Sequence, residues 1–145
     1  MRVLLALFMA IAFFATANAG EAPVFAIDGI AIRGYDSVAY HTENKPVPGS
    51  ADYTFEYKGA TWQFASAANR DKFAADPERY APAYGGYCAY GMSKVYAVKT
   101  EPDAFKVHNG QLYMNYNTEV LATWKKDPEG YIVKADENVK EVLGE

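Results

Sequence analysis

Residues 58–80 read KGATWQFASAANRDKFAADPERY, and residues 109–131 read NGQLYMNYNTEVLATWKKDPEGY. At an offset of 51 residues the two stretches align without a gap. Gly59 falls on Gly110, Trp62 on Tyr113, Ser66 on Asn117 and Phe73 on Trp124. Asp76-Pro77-Glu78 then falls on Asp127-Pro128-Glu129, and Tyr80 on Tyr131. Each stretch spells a turn glycine, a strand aromatic, a helix cap, a helix aromatic, Asp-Pro-Glu and a tyrosine. Glycine, and asparagine before it, tolerate the positive φ of a tight hairpin. Serine and asparagine side chains cap helix N-termini. The pattern therefore predicts two hairpin-helix units, 58–80 and 109–131, related by an internal duplication. A hairpin with one helix is too small to be stable alone, so the two are expected to share a core.

Working outward, Val24-Phe25-Ala26-Ile27 reads as a short strand closed by the turn dipeptide Asp28-Gly29. Asp36 is placed to cap a short helix over residues 37–40. Tyr53 to Tyr57 and Ala60 to Phe64 alternate around Lys58-Gly59 as strands do. Ser66 starts a helix over residues 67–75, and Asn117 one over residues 118–126. Val95-Tyr96-Ala97-Val98 is a further expected strand. Ile132, Ala135, Val139, Val142 and Leu143 fall on one face of a closing amphipathic helix. The fold class is α+β, one compact domain with an N-terminal strand and a C-terminal helix.

Residues 1–19 have the layout of a cleavable signal peptide: Arg2, an uncharged apolar run from Val3 to Ala15, then Ala17-Asn18-Ala19. The run is short of the ~20 residues that span a bilayer. Cleavage after Ala19 leaves residues 20–145 as a single domain, periplasmic or secreted, with no stable membrane insertion. Losing Arg2 takes the formal charge from −4 to −5. No basic stripe is present, which argues against nucleic acid as a partner.

Cys88 is the only cysteine. A single thiol in an oxidising compartment must be buried, metal-bound or paired externally. Met92 stands four residues on, so a helical turn would put both sulfurs on one side, a soft pair of the type that selects Cu(I). His41, His108 and Met114 are the other candidates to complete such a site. His41 borders a charged loop, and His108 lies beside the Asn109-Gly110 turn. The competing account of Cys88 is a small buried hydrophobe. Tyr84, Tyr87 and Tyr90 surround it and are candidate pocket-lining residues, each with an apolar body and a polar end. Gly-x-Ser-x-Gly, His-Glu-x-x-His, phosphate-loop and Cys-x-x-Cys motifs are missing from the sequence, so catalysis is not expected.

Trp62-Gln63-Phe64-Ala65-Ser66, with Phe73, Asp76-Pro77-Glu78 and Tyr80, resembles the YHS domain, a small module often associated with metal handling. Gly34-Tyr35-Asp36-Ser37-Val38-Ala39-Tyr40, the segment 84–89 and Gly110 to Tyr116 look like the exported, stand-alone members, which mostly carry no assigned activity. Metal-associated YHS modules place cysteines where Ala65 and Asn69 stand here, so those ligands do not carry over. The expectation is a non-enzymatic periplasmic metal-binding protein that handles copper through Cys88. The alternative is a small-molecule or protein-interaction module in which Cys88 is structural and no metal binds.

Overall fold

The computed structural model describes residues 21–144, so the signal peptide expected over residues 1–19 lies outside the described residues. β1 (Ala26–Ile27) and β2 (Ile30–Ala31) form a small hairpin about Asp28-Gly29. A 3-10 turn (Ile32–Gly34) leads to α1 (Ser37–Thr42). β3 (Ser50–Tyr57) and β4 (Ala60–Phe64) follow, then α2 (Ala67–Ala75) and α3 (Pro77–Tyr80). A second 3-10 turn (Ala83–Gly86) leads to α4 (Ala89–Ser93), the hairpin β5 (Phe105–His108) and β6 (Gln111–Met114), α5 (Thr118–Trp124) and α6 (Pro128–Leu143). The first sheet has the order β1-β2-β4-β3, with β2 parallel to β4 and the other pairs antiparallel. Among the described residues, β5 and β6 pair only with each other. Helices and sheets share one domain, as α+β requires.

The two hairpins turn alike. Lys58 and Gly59 have φ of 49° and 77°, and Asn109 and Gly110 have 50° and 78°. Two successive positive φ values make the turn whose twist matches that of the strands. The helices then start alike: Ser66 Oγ accepts from Asn69 N at 3.1 Å, and Asn117 Oδ1 from Val120 N at 2.8 Å. In each unit the helix aromatic lies on the strand aromatic. Phe73 meets Trp62 at a ring-centroid distance of 5.1 Å and an interplanar angle of 30°, and Trp124 meets Tyr113 at 5.1 Å and 35°. The Asp-Pro step ends one helix and begins the next, with proline at the first helical positions, where its missing N–H costs nothing.

The core has two parts, divided by β6. Leu112 and Met114 join Trp62, Phe64 and Phe73 in the first. Tyr113 joins Trp124, Leu121 and Met92 in the second. Side chains alternate across a strand, so one short strand feeds both cores, and every residue after Gln111 in it is buried. α6 closes the second core with Ala135 and Leu143, and Ile132, Val139 and Val142 pack beside them.

One expected strand is not formed. Residues 95–98 run as irregular chain because Val95 has φ 67°, outside the strand region, and its N–H turns back to the Met92 carbonyl at 3.1 Å. Tyr96 N likewise bonds the Gly91 carbonyl at 2.9 Å. The exit turn of α4 takes up the backbone donors that a strand would have offered to a neighbour.

Candidate functional site

A cavity of about 300 Å³ opens where the two units and α6 meet. Trp62 comes from β4, Gln111 from β6, and Val139 and Leu143 from α6, while Val24 and Tyr84 close its inner end. The floor is apolar, and Trp62, Val24 and Leu143 are buried. Exposed Lys58, Glu78 and Asp136 stand at the mouth. Tyr84 holds the cavity's shape. Its hydroxyl donates to Asp136 Oδ1 at 2.9 Å, and burial followed by that carboxylate pushes its pKa far up, so the phenol stays neutral. Its backbone is left-handed, with φ 58°, a conformation uncommon outside glycine. Gly85 follows at φ 62°, and its carbonyl accepts from Phe25 N at 2.9 Å. A Cβ on Gly85 would stand 1.9 Å from the Pro23 carbonyl oxygen, so only glycine lets the N-terminal segment lie this close.

Tyr84, Tyr87 and Tyr90 do not line one pocket. Tyr87 packs on Phe25 at 5.9 Å in the second core, where burial raises its pKa. Tyr90 faces Tyr131 at 5.2 Å and borders a separate hollow of about 230 Å³, which also contains Cys88.

Cys88 is 1% exposed and caps α4. Its sulfur accepts from Gly91 N at 3.3 Å and approaches Asn115 Oδ1 at 3.5 Å as donor. Burial pushes its thiol pKa up, only partly offset by nearby backbone N–H groups and Lys99. A protonated, hydrogen-bonded thiol is a poor nucleophile and a poor ligand. Met92 follows one turn later, its N–H bonded to the Cys88 carbonyl at 2.8 Å, and its side chain packs in the second core. Met114 packs in the first. His108 Nε2 lies 2.6 Å from Glu129 Oε1, with its ring edge-on to Trp124. His41 packs edge-on against Tyr80 at 5.6 Å and is half-buried. Among the described residues, no group of three or more His, Cys, Asp or Glu is placed to hold a metal ion. Cys88 and Met92 are thus neighbours on α4, while His108 lies against Glu129 and Trp124 and His41 against Tyr80.

Ala65 and Asn69, where the resemblance would place cysteines, belong to a different device. Ala65 N and Asn69 Nδ2 both donate to Asp36 Oδ2, at 2.9 and 2.8 Å. Asp36 Oδ1 meanwhile caps α1 through Val38 N and Ala39 N. Cys88 holds the matching place in the second half: Gly34-Tyr35-Asp36-Ser37 stands 52 residues before Gly86-Tyr87-Cys88-Ala89. Gly34 and Gly86 have φ of 77° and 87°, and Asp36 and Cys88 each cap the short helix that follows. The likeness of the halves therefore begins before the hairpins. The Gly-Tyr pair at 34–35 and 86–87 was the available sign of it in the sequence. Glu78, Gln111 and Asp136 had no comparable sign, because they converge only through the fold.

His41 makes the first testable consequence. Burial lowers its pKa below 6.5, and Arg79 lowers it further, against a backbone hydrogen bond at Tyr80 that raises it. Its Nε2 is buried with no hydrogen-bond partner, so a proton there would be unsolvated. A depressed folded-state pKa means the unfolded chain takes the proton first. Stability is therefore held above the unfolded value of 6.5 and lost as the pH falls below it. Urea midpoints measured at about pH 7 and about pH 5.5 should fall less for His41→Gln than for the parent. Equal falls would show that His41 titrates as an ordinary surface histidine.

Among the described residues no helix is long and apolar enough to cross a membrane. No curated protein and no solved structure matches the chain. Residues 38–84 match the family model of the YHS domain, from the first turn of α1 to the cavity residue Tyr84. The match takes in the first hairpin-helix unit, with the helix before it and the connector after it, and that part of the chain is similar to the YHS domain.

Proposed function

We propose that this is a non-enzymatic, exported binding module that holds a small molecule in the cavity between its two units, with Cys88 serving as a structural helix cap. The single observation that carries this is the cavity itself. It reaches the lower end of the ~300–1,000 Å³ common for ligand sites, and Tyr84 is held at its inner end in a strained backbone conformation. Such strain persists where surrounding structure enforces it, often at binding sites. The mouth carries two carboxylates, Glu78 and Asp136, against one ammonium, Lys58. The apolar floor beneath them suits a ligand with an apolar body and a protonated amine.

The test uses the chain exported from its own leader, with phenethylamine as probe and phenylacetate as the charge-reversed control. Amide resonances of Tyr84, Gly85, Gln111 and Val139 should shift saturably with the amine and not with the acid. Asp136→Asn, which still accepts the Tyr84 hydroxyl, should weaken the amine at least about fivefold. If neither probe moves those resonances, the reading fails. Mass measurement of the same sample tests export, since cleavage after Ala19 leaves Gly20 first.

Copper is the second reading, favoured by the YHS match and by the Cys88 sulfur at the edge of the smaller hollow. Titration with Cu(I) against a chromogenic chelator, beside Cys88→Ser, separates the two. Competition by neither protein is the result expected here. Tight uptake lost in the variant would instead establish a thiolate-centred site.

A further inference from the structure

The smaller hollow shares no lining residue with the cavity between the units, and it has a different character. Its walls are Tyr90, Tyr96, Val98, Tyr116 and Val120, with Cys88 among them. At about 230 Å³ it falls below the ~300–1,000 Å³ of small-molecule sites, but it has room for one large side chain. Around it the surface is unusually apolar. Of the five large hydrophobic residues exposed among the described residues, Val95 (51%), Tyr96 (63%) and Tyr116 (40%) belong to this one region. Grouped exposed hydrophobics mark interaction sites, whereas scattered ones need no explanation.

The backbone supplies an independent observation. Val95 has φ 67°, a genuine outlier for a β-branched residue. Hydrogen bonds from Val95 N to Met92 and from Tyr96 N to Gly91 hold it there. This turn stands Val95 and Tyr96 out toward solvent, where folding alone gains nothing from them.

Charge selects the partner. Lys94 is the only charged residue that lines the hollow, and its ammonium lies 5.6 Å from the Tyr90 ring and 6.0 Å from that of Tyr131. Lys99 stacks on Tyr116 at 4.0 Å and is itself paired with Glu101 at 2.7 Å. With Lys99 already paired, the Lys94 ammonium on a chain of net charge −4 favours a carboxylate beside the inserted side chain.

From these features we infer that the hollow is a docking socket for a partner protein, which inserts one large apolar side chain flanked by an acidic residue. Buried aromatic or aliphatic anchors in such pockets carry most of an interface's energy. The inference is independent of the small-molecule reading, because Asp136→Asn should leave it untouched.

The experiment selects a random displayed peptide library against the immobilised exported chain, then measures the recovered peptides by fluorescence anisotropy. The expected consensus is a single Phe, Leu or Trp next to Asp or Glu. Tyr96→Ser and Lys94→Glu, both at the surface, should each weaken binding by about tenfold or more. A peptide whose acid is changed to lysine should recover binding to Lys94→Glu. Circular dichroism of both variants confirms that the fold is kept. No enrichment, or peptides indifferent to both substitutions, overturns the proposal. So does sedimentation showing that the chain self-associates and that Tyr96→Ser abolishes it, which would make a second copy the occupant.

Discussion

Asp36→Ala is expected to lower the unfolding free energy by about 4 kcal/mol, because it leaves a buried hydrogen-bond network without its centre. Asp36 is fully buried, and its two oxygens accept four hydrogen bonds. Val38 N and Ala39 N are the free donors of α1, at 2.9 and 3.1 Å. Ala65 N closes β4 at 2.9 Å, and Asn69 Nδ2 lies on α2 at 2.8 Å. One carboxylate therefore ties three elements together. Loss of the cap alone costs about 1 kcal/mol; the Val38 and Ala39 donors are buried and add roughly 1–3 kcal/mol each when stranded, and the part-buried Ala65 and Asn69 donors add less. Asp36→Asn keeps the shape but turns an amide N–H₂ toward donors, so it should fall between alanine and the parent. Urea unfolding followed by far-ultraviolet circular dichroism reads both. A loss below about 1 kcal/mol for alanine would mean that water or a shifted backbone satisfies these donors.

Phe73→Ala should cost about as much, in the range of ~3–5 kcal/mol seen for aromatic truncation in a core. Phe73 is the only buried residue of α2. Its ring meets Trp62 and Phe64 at 5.1 Å, Tyr57 at 5.6 Å and Phe55 at 6.0 Å. All four partners lie on β3 and β4, so this one side chain docks the helix on the hairpin. Against a typical stability of about 5–15 kcal/mol for a small domain, the loss is a large fraction. Amide exchange distinguishes its form. Protection should fall first across α2, while α5, docked by Trp124, keeps its own. Uniform loss over both units would show instead that the two cores unfold as one.

The two expectations differ in how visible their residues were beforehand. Phe73 announced itself through its place between a serine cap and an Asp-Pro stop, matched by Trp124 in the second stretch. Asp36 was legible only as a cap. Its bonds to Ala65 and Asn69 cross 29 and 33 residues, and nothing near Asp36 in the chain signals them. The Tyr84–Asp136 bond that shapes the cavity spans 52 residues. Cys88 drew notice as the sole thiol, and the fold makes it a helix cap beside Asn115, a partner 27 residues away that nothing near Cys88 signals.

Turns, caps and the stripe on α6 were determined by the sequence itself, because each acts within about four residues, where backbone sterics and side-chain reach settle the outcome. The positive φ at Lys58-Gly59 and Asn109-Gly110 and the caps at Ser66 and Asn117 all follow from that short range. Tertiary structure decided the rest. β6 could have fed one core or two, and residues 95–98 carried the composition of a strand. What settled both was the position of α4, whose exit turn captured the Val95 and Tyr96 donors, and the two bodies that pack on opposite faces of β6. Packing at long range selects among locally allowed conformations, so residues that meet across the fold become a site only once the fold exists.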